Sequence, residues 1–96
     1  KMDKRILKIY LDTIIYIESQ KDYVRIITRE RDVITKQKIS YLEERLPSKQ
    51  FLRIHRSYLV AINKITAFSG INVEIGEIEL PIGRSYKHFV MDALNF

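Results

Sequence analysis

FLRIHRSYLVAI, residues 51–62, holds two apolar strand patterns interrupted by His55-Arg56-Ser57. In the first pattern Leu52 and Ile54 face one way while Phe51, Arg53 and His55 face the other, the period-two alternation of a β-strand. The second, Tyr58 to Ile62, is a short apolar run of strand length. Arg56 is therefore expected to project from a turn where the alternating strand stops. An arginine fork so placed can pair with a guanine edge or a phosphate, and Ser57 can donate to a phosphate oxygen.

The same short-strand pattern continues on both sides of this stretch. Ile6 to Tyr10 and Ile14 to Ser19 are β-branched and aromatic runs, which predict two strands joined tightly through Leu11-Asp12-Thr13. Asp22 to Arg29 alternates, with Val24, Ile26 and Thr28 on one face and Tyr23, Arg25 and Ile27 on the other. The turn Glu30-Arg31-Asp32 returns it as a hairpin into Val33 to Lys38. Ser40-Tyr41-Leu42-Glu43 has the S-x-x-E form of a capping box, predicting a short helix from Ser40 that Pro47 stops no later than Leu46. Ile65 to Ser69, Ile71 to Ile75 and Ile78 to Ile82 read as three more strands of a meander. After Gly83 the period becomes 3.6, and Tyr86, Phe89, Val90, Ala93 and Leu94 mark one stripe of an amphipathic terminal helix.

The expected fold is thus mostly β, with packed antiparallel sheets, one short internal helix and a C-terminal amphipathic helix. No repeat, low-complexity tract or linker divides the 96 residues, so 1–96 reads as a single domain. The abrupt start at Lys1 and the ending at Phe96 suggest a domain excised from a longer protein. Cys is absent, which excludes disulfides and thiolate chemistry. No run approaches the ~18 apolar residues of a membrane span, and K-M-D-K-R leads into a strand pattern without a signal-peptide core. A cytoplasmic protein without membrane partners is the expectation.

Catalysis finds little support. There is no phosphate-binding glycine loop, nucleophile elbow or H-E-x-x-H. The two histidines, His55 and His88, lie far apart in different predicted elements. No metal, cofactor or enzymatic activity is expected.

Charge points elsewhere. The 17 Lys and Arg exceed the 12 Asp and Glu by five, which favours polyanionic partners. The layout is uneven: Lys49, Arg53, Arg56 and Lys64, with His55, occupy a segment free of acids, whereas Glu74, Glu77 and Glu79 occupy one free of bases. A basic face opposite an acidic one orients a chain on a phosphate surface. Lys21, Tyr23 and Arg25 stand at the opening of a strand. Arg84 and Lys87 stand where a helix begins, where the dipole's positive end disfavours cations; a local rule broken without structural gain is evidence for binding.

Several motifs now stand in order: I-I-Y-I-E-S at Ile14 to Ser19, K-D-Y-V at Lys21 to Val24, F-L-R-I-H-R-S-Y-L-V at Phe51 to Val60, N-K-I at Asn63 to Ile65, and L-P-I-G-R-S-Y-K at Leu80 to Lys87. Over nearly the whole chain this resembles a LytTR-type DNA-binding domain. The resemblance implies elongated packed sheets. It also implies the role of an output domain in a bacterial two-component response regulator, usually C-terminal to a receiver domain, with loops entering successive major grooves. By motif position it implies base contacts from Tyr23, Arg56 and Arg84. Lys21, Ser57, Lys64, Ser85 and Lys87 are assigned to phosphates, with His55, Asn63 and Arg25 as further contacts. Ala61 stands where the family often has Asn, and Asn63 is the nearest polar side chain.

Sequence-specific double-stranded DNA binding is the leading expectation, with a homodimer on repeated sites left open. Two alternatives are a single-stranded nucleic-acid binder that stacks bases on tyrosines, and a protein-interaction module using the acidic 74–79 hairpin.

Overall fold

The computed structural model describes residues 6–95. β1 (Ile14–Gln20), β2 (Tyr23–Thr28) and β3 (Asp32–Thr35) form an antiparallel meander. After helix α1 (Ile39–Arg45), β4 (Phe51–His55) and β5 (Tyr58–Ala61) form a hairpin whose β5 pairs with β1, giving one sheet in the order β3-β2-β1-β5-β4. A second sheet holds β6 (Ala67–Phe68), β7 (Asn72–Ile75) and β8 (Ile78–Pro81), and helix α2 (Lys87–Leu94) ends the chain. The molecule is elongated, 51 × 23 × 22 Å.

Alternation decides what each face covers. Ile17, Val24, Ile26, Phe51, Leu59 and Ala61 form one buried layer with Ile39 of α1, against which Leu42 and Leu46 pack. Leu52, Ile54 and Val60 face the other way and meet Val73, Ile75, Leu80, Ile82 and Val90. Strands β1, β5 and β4 are therefore covered on both sides, by α1 on one face and by the small sheet with α2 on the other, whereas Ile34 of β3 is 63% exposed. Each fully buried aliphatic side chain contributes roughly 1.5–3 kcal/mol.

Strict alternation breaks at two bulges. In β1 the register shifts between Ile14 and Tyr16, so Ile14 and Ile17 reach the α1 layer while Ile15 and Tyr16 pack on the opposite one. That is why I-I-Y-I reads as a continuous apolar run. In β4 the shift falls between Arg53 and His55 and leaves Ile54 outside the ladder to β5.

The structure corrects several expectations. Ile6 to Tyr10 is not a strand. Both edges of β1 are taken, by β2 and β5, so no place is left for a hairpin partner, and Ile6 is 94% exposed. Helix α1 begins at Ile39, not Ser40, and Lys38 is its cap with no side-chain bond. The capping box does not form because the Glu43 carboxylate is taken by Arg53. The helix does stop before Pro47, with Leu46 extended. The third strand ends at Thr35 and β6 keeps only Ala67–Phe68. Of the expected stripe Tyr86, Val90 and Leu94 pack inward, joined by Met91, whereas Phe89 is 54% exposed and Ala93 is exposed; Tyr86 lies in a 3-10 turn with fewer residues per turn, which shifts the stripe along α2.

The β7–β8 hairpin turns through Gly76-Glu77, and Gly76 takes φ 61°. A Cβ at Gly76 would meet nothing within 4 Å, so substitution costs backbone conformation alone. Gly76→Ala should lower the urea midpoint by the equivalent of about 1 kcal/mol with an unchanged m value; an unchanged midpoint would show that the left-handed turn is not needed.

Candidate functional site

Three turns meet at one end of the large sheet. Gln20 pairs with Tyr23, so β1 and β2 are joined by the two residues Lys21-Asp22. His55 pairs with Tyr58, so β4 and β5 are joined by Arg56-Ser57. β1 and β5 are neighbours with Glu18 opposite Tyr58, and Ser19 donates its amide to the Ser57 carbonyl at 2.9 Å. These two turns thus stand side by side.

The third turn arrives from the small sheet. Gly83 donates its amide to the Ile54 carbonyl at 2.8 Å, the group that the β4 bulge leaves outside its ladder. The chain then forms a 3-10 turn, Arg84–Tyr86, closed by Tyr86 donating to the Gly83 carbonyl at 2.9 Å. A Cβ at Gly83 would lie 3.1 Å from the Tyr86 ring and 3.5 Å from the His55 Cα, so the approach is tight. Between the turns lies a shallow depression of about 460 Å³ lined by His55, Arg56, Gly83, Arg84, Ser85 and Tyr86.

Most of the anticipated residues gather here. Tyr23 is 47% exposed, and Lys21, Arg56, Arg84, Ser85 and Lys87 are all exposed. Among the described residues none of these four cations forms an ion pair. The Lys87 chain lies against Gly70 of the β6–β7 turn. Lys21 holds φ 55°, a left-handed conformation that costs a residue with a Cβ roughly 1–2 kcal/mol.

Other anticipated residues stand differently. Arg25 is engaged by Glu18 at 3.5 Å and Asp32 at 3.8 Å. Asn63 and Lys64 lie in the 3-10 turn Ile62–Lys64 that follows β5, at the end of that strand opposite Ser57. There Lys64 donates to the Asp12 carbonyl at 2.9 Å, so neither joins the three turns. The acidic hairpin is likewise remote, since Gly76 donates to Thr66, two residues past Lys64.

His55 accepts the Ser57 amide on Nδ1 at 3.0 Å and packs on Tyr58, ring centroids 5.3 Å apart. Burial, and then the neighbouring Arg56 and Arg53 charges, push its pKa below the ordinary histidine value. The imidazole is thus held neutral with its remaining proton on Nε2, and the bond to Ser57 fixes the turn.

One residue of this region was not anticipated. Arg53 is only 9% exposed. It donates Nε–H to the His55 carbonyl at 2.8 Å, Nη2–H to the Arg56 carbonyl at 2.7 Å and Nη1–H to Glu43 at 2.5 Å. The Tyr86 ring lies 5.8 Å from the guanidinium. Within the sequence Arg53 is an ordinary outward member of an alternating strand, and nothing there signals that Glu43 will reach it.

No group of three or more His, Cys, Asp or Glu among the described residues could hold a metal ion, and no described helix is long and apolar enough to cross a membrane.

Residues 4–95 match the LytTr DNA-binding domain family. A CO-responsive transcriptional regulator, RcoM, from Rhodospirillum rubrum is 38% identical over 85 residues, covering 79% of this chain and 36% of its own length. The sensory transduction protein LytT of Bacillus cereus is 28% identical over 91 residues, covering 88% of this chain and 37% of its own. The chain therefore spans little more than a third of either relative. A solved LytTr DNA-binding domain from Bacillus cereus superimposes with TM-score 0.79 at 23% identity, over 88% of this chain and 84% of that one.

The lowered His55 pKa fixes a sign. The folded state binds fewer protons than the unfolded, so the associated stability is present above the ordinary histidine pKa of about 6.5 and is lost as pH falls through the folded value. In an NMR titration His55 should change protonation below pH ~6.5, with the Ser57 amide shifting at the same midpoint because protonation of Nδ1 removes its acceptor. A midpoint at or above the ordinary value would contradict this.

Proposed function

The chain belongs to the LytTr DNA-binding domain family, and on that premise we propose that it is the output domain of a transcriptional regulator and binds double-stranded DNA sequence-specifically through the three turns. The observation carrying this reading is their convergence at one end of the sheet, with cations at the tips that form no ion pair among the described residues. Two of them close two-stranded ribbons, and B-DNA's major groove, roughly 12 Å wide, admits a ribbon of that kind. Arg56 and Arg84 present forks for guanine edges, and Tyr23 makes the base contact of the first turn. Lys21, Ser57, Ser85 and Lys87 surround them and contact phosphates, fixing register without reading sequence. His55 Nε2–H supplies one more donor beside Arg56. Asn63, Lys64 and Arg25 are left outside the interface on the geometry described above. The acidic hairpin lies away from the tips and so does not oppose the phosphates.

A platform for single strands has less support. Tyr16 and Tyr58 pack edge to face, 6.2 Å apart, in the interior layer, and of the exposed tyrosines Tyr23 lies on β2, Tyr41 on α1 and Tyr10 ahead of β1. The family resemblance implies a receiver domain ahead of this one in the full-length regulator.

Selection of bound duplexes from a random library, followed by footprinting, supplies the site and the number of copies on it. On that duplex Arg56→Ala and Arg84→Ala should each cost ~1–3 kcal/mol and relax preference at one position. Binding unchanged within error would remove those residues from the base-reading set. Lys87→Ala should instead weaken all sequences alike and flatten the slope of log affinity against log salt by about one unit. Lys21→Gly separates fold from binding: glycine relieves the strained φ, so thermal stability should hold or rise, while affinity falls with the lost cation. A parallel fall in both would place Lys21 in the fold instead.

A further inference from the structure

We infer that Arg53 is the positioning residue of the recognition end, a side chain that touches no DNA but sets the second and third reading turns relative to each other. This rests on the DNA-binding reading above.

A guanidinium buried at this depth is expensive unless every direction of its fork is met. Here two directions are met by consecutive carbonyls, those of His55 and Arg56. Two fixed carbonyls fix the peptide planes on either side of Arg56, and hence the direction in which the Arg56 side chain leaves the turn. The third direction is met by Glu43 from α1, which anchors the guanidinium to an element outside the recognition end. The guanidinium also lies over the ring of Tyr86, 5.8 Å from its centroid, and Tyr86 stands two residues after Arg84 in the same 3-10 turn. One side chain thus registers Arg56 and Arg84 together.

A staple that served stability alone would not need to reach both turns. Strand β4 is already held by β5, by the Ile54–Gly83 bond and by two apolar layers. The fork adds orientation at the tip, and orientation is what discrimination between base pairs requires, whereas nonspecific attraction to phosphate does not.

Two variants test this on the whole domain. Arg53→Lys keeps the charge and the aliphatic stem but has no fork. It should unfold cooperatively, perturb the free-protein amide resonances of residues 55–57 and 84–86, and reduce the ratio of specific to nonspecific affinity by about tenfold, the equivalent of one base contact. The salt slope should not change, because no phosphate contact is lost. Glu43→Gln, at a half-exposed helix position, keeps an acceptor oxygen and both carbonyl bonds and should shift the same resonances and the same ratio by less; it carries the test if Arg53→Lys fails to fold. An unchanged ratio overturns the inference, as does a slope flattened by about one unit, which would make Arg53 a phosphate contact. If the unaltered domain itself fails to discriminate between duplexes, the DNA reading falls, while the amide shifts report separately on whether Arg53 holds both turns.

Discussion

Burial of the β1, β5 and β4 strands on both faces is the constraint from which the rest of the architecture follows. Burial of one face already specifies the register of a strand, and here each register must satisfy two packed layers at once. The two polar side chains buried there, Thr28 and Arg53, both find partners. Thr28 both donates to the Arg31 carbonyl and accepts from the Arg31 amide, closing the β2–β3 turn, and Arg53 has a partner for each direction of its fork. Because the sheet is fixed in this way, its end is fixed too, and two-residue turns mounted there have little freedom to wander.

How much of this was legible in the amino acids depends on whether the deciding forces were local. The face assignment of Val24, Ile26 and Thr28 could be read directly, because alternation reports burial on one side of a strand. So could the stop before Pro47, which is steric and involves adjacent residues. The grouping of K-D-Y-V, H-R-S-Y and G-R-S-Y was suggested by family resemblance, and their convergence needed the β1–β5 pairing and the Gly83–Ile54 bond, both contacts between distant segments.

What could not be read has the same origin. Ile6 to Tyr10 has strand-like residues, but whether a strand forms depends on a free edge, and β1 has none. Ser40 and Glu43 have the right spacing for a cap, but Glu43 had a better offer from a buried cation ten residues on. Lys64 sits in a basic segment, yet the strand between it and Arg56 carries them to opposite ends. Charge counted along a chain says how much is present and leaves its direction in space undetermined.

The bond between the Gly83 amide and the Ile54 carbonyl joins the two sheets through main-chain atoms alone. Nothing in that joint depends on the side chains at the neighbouring positions 56, 84 and 85, which point outward. Such a joint works as a socket: the scaffold can keep its shape while the exposed residues are exchanged, and the interior that holds the turns in place need not be disturbed.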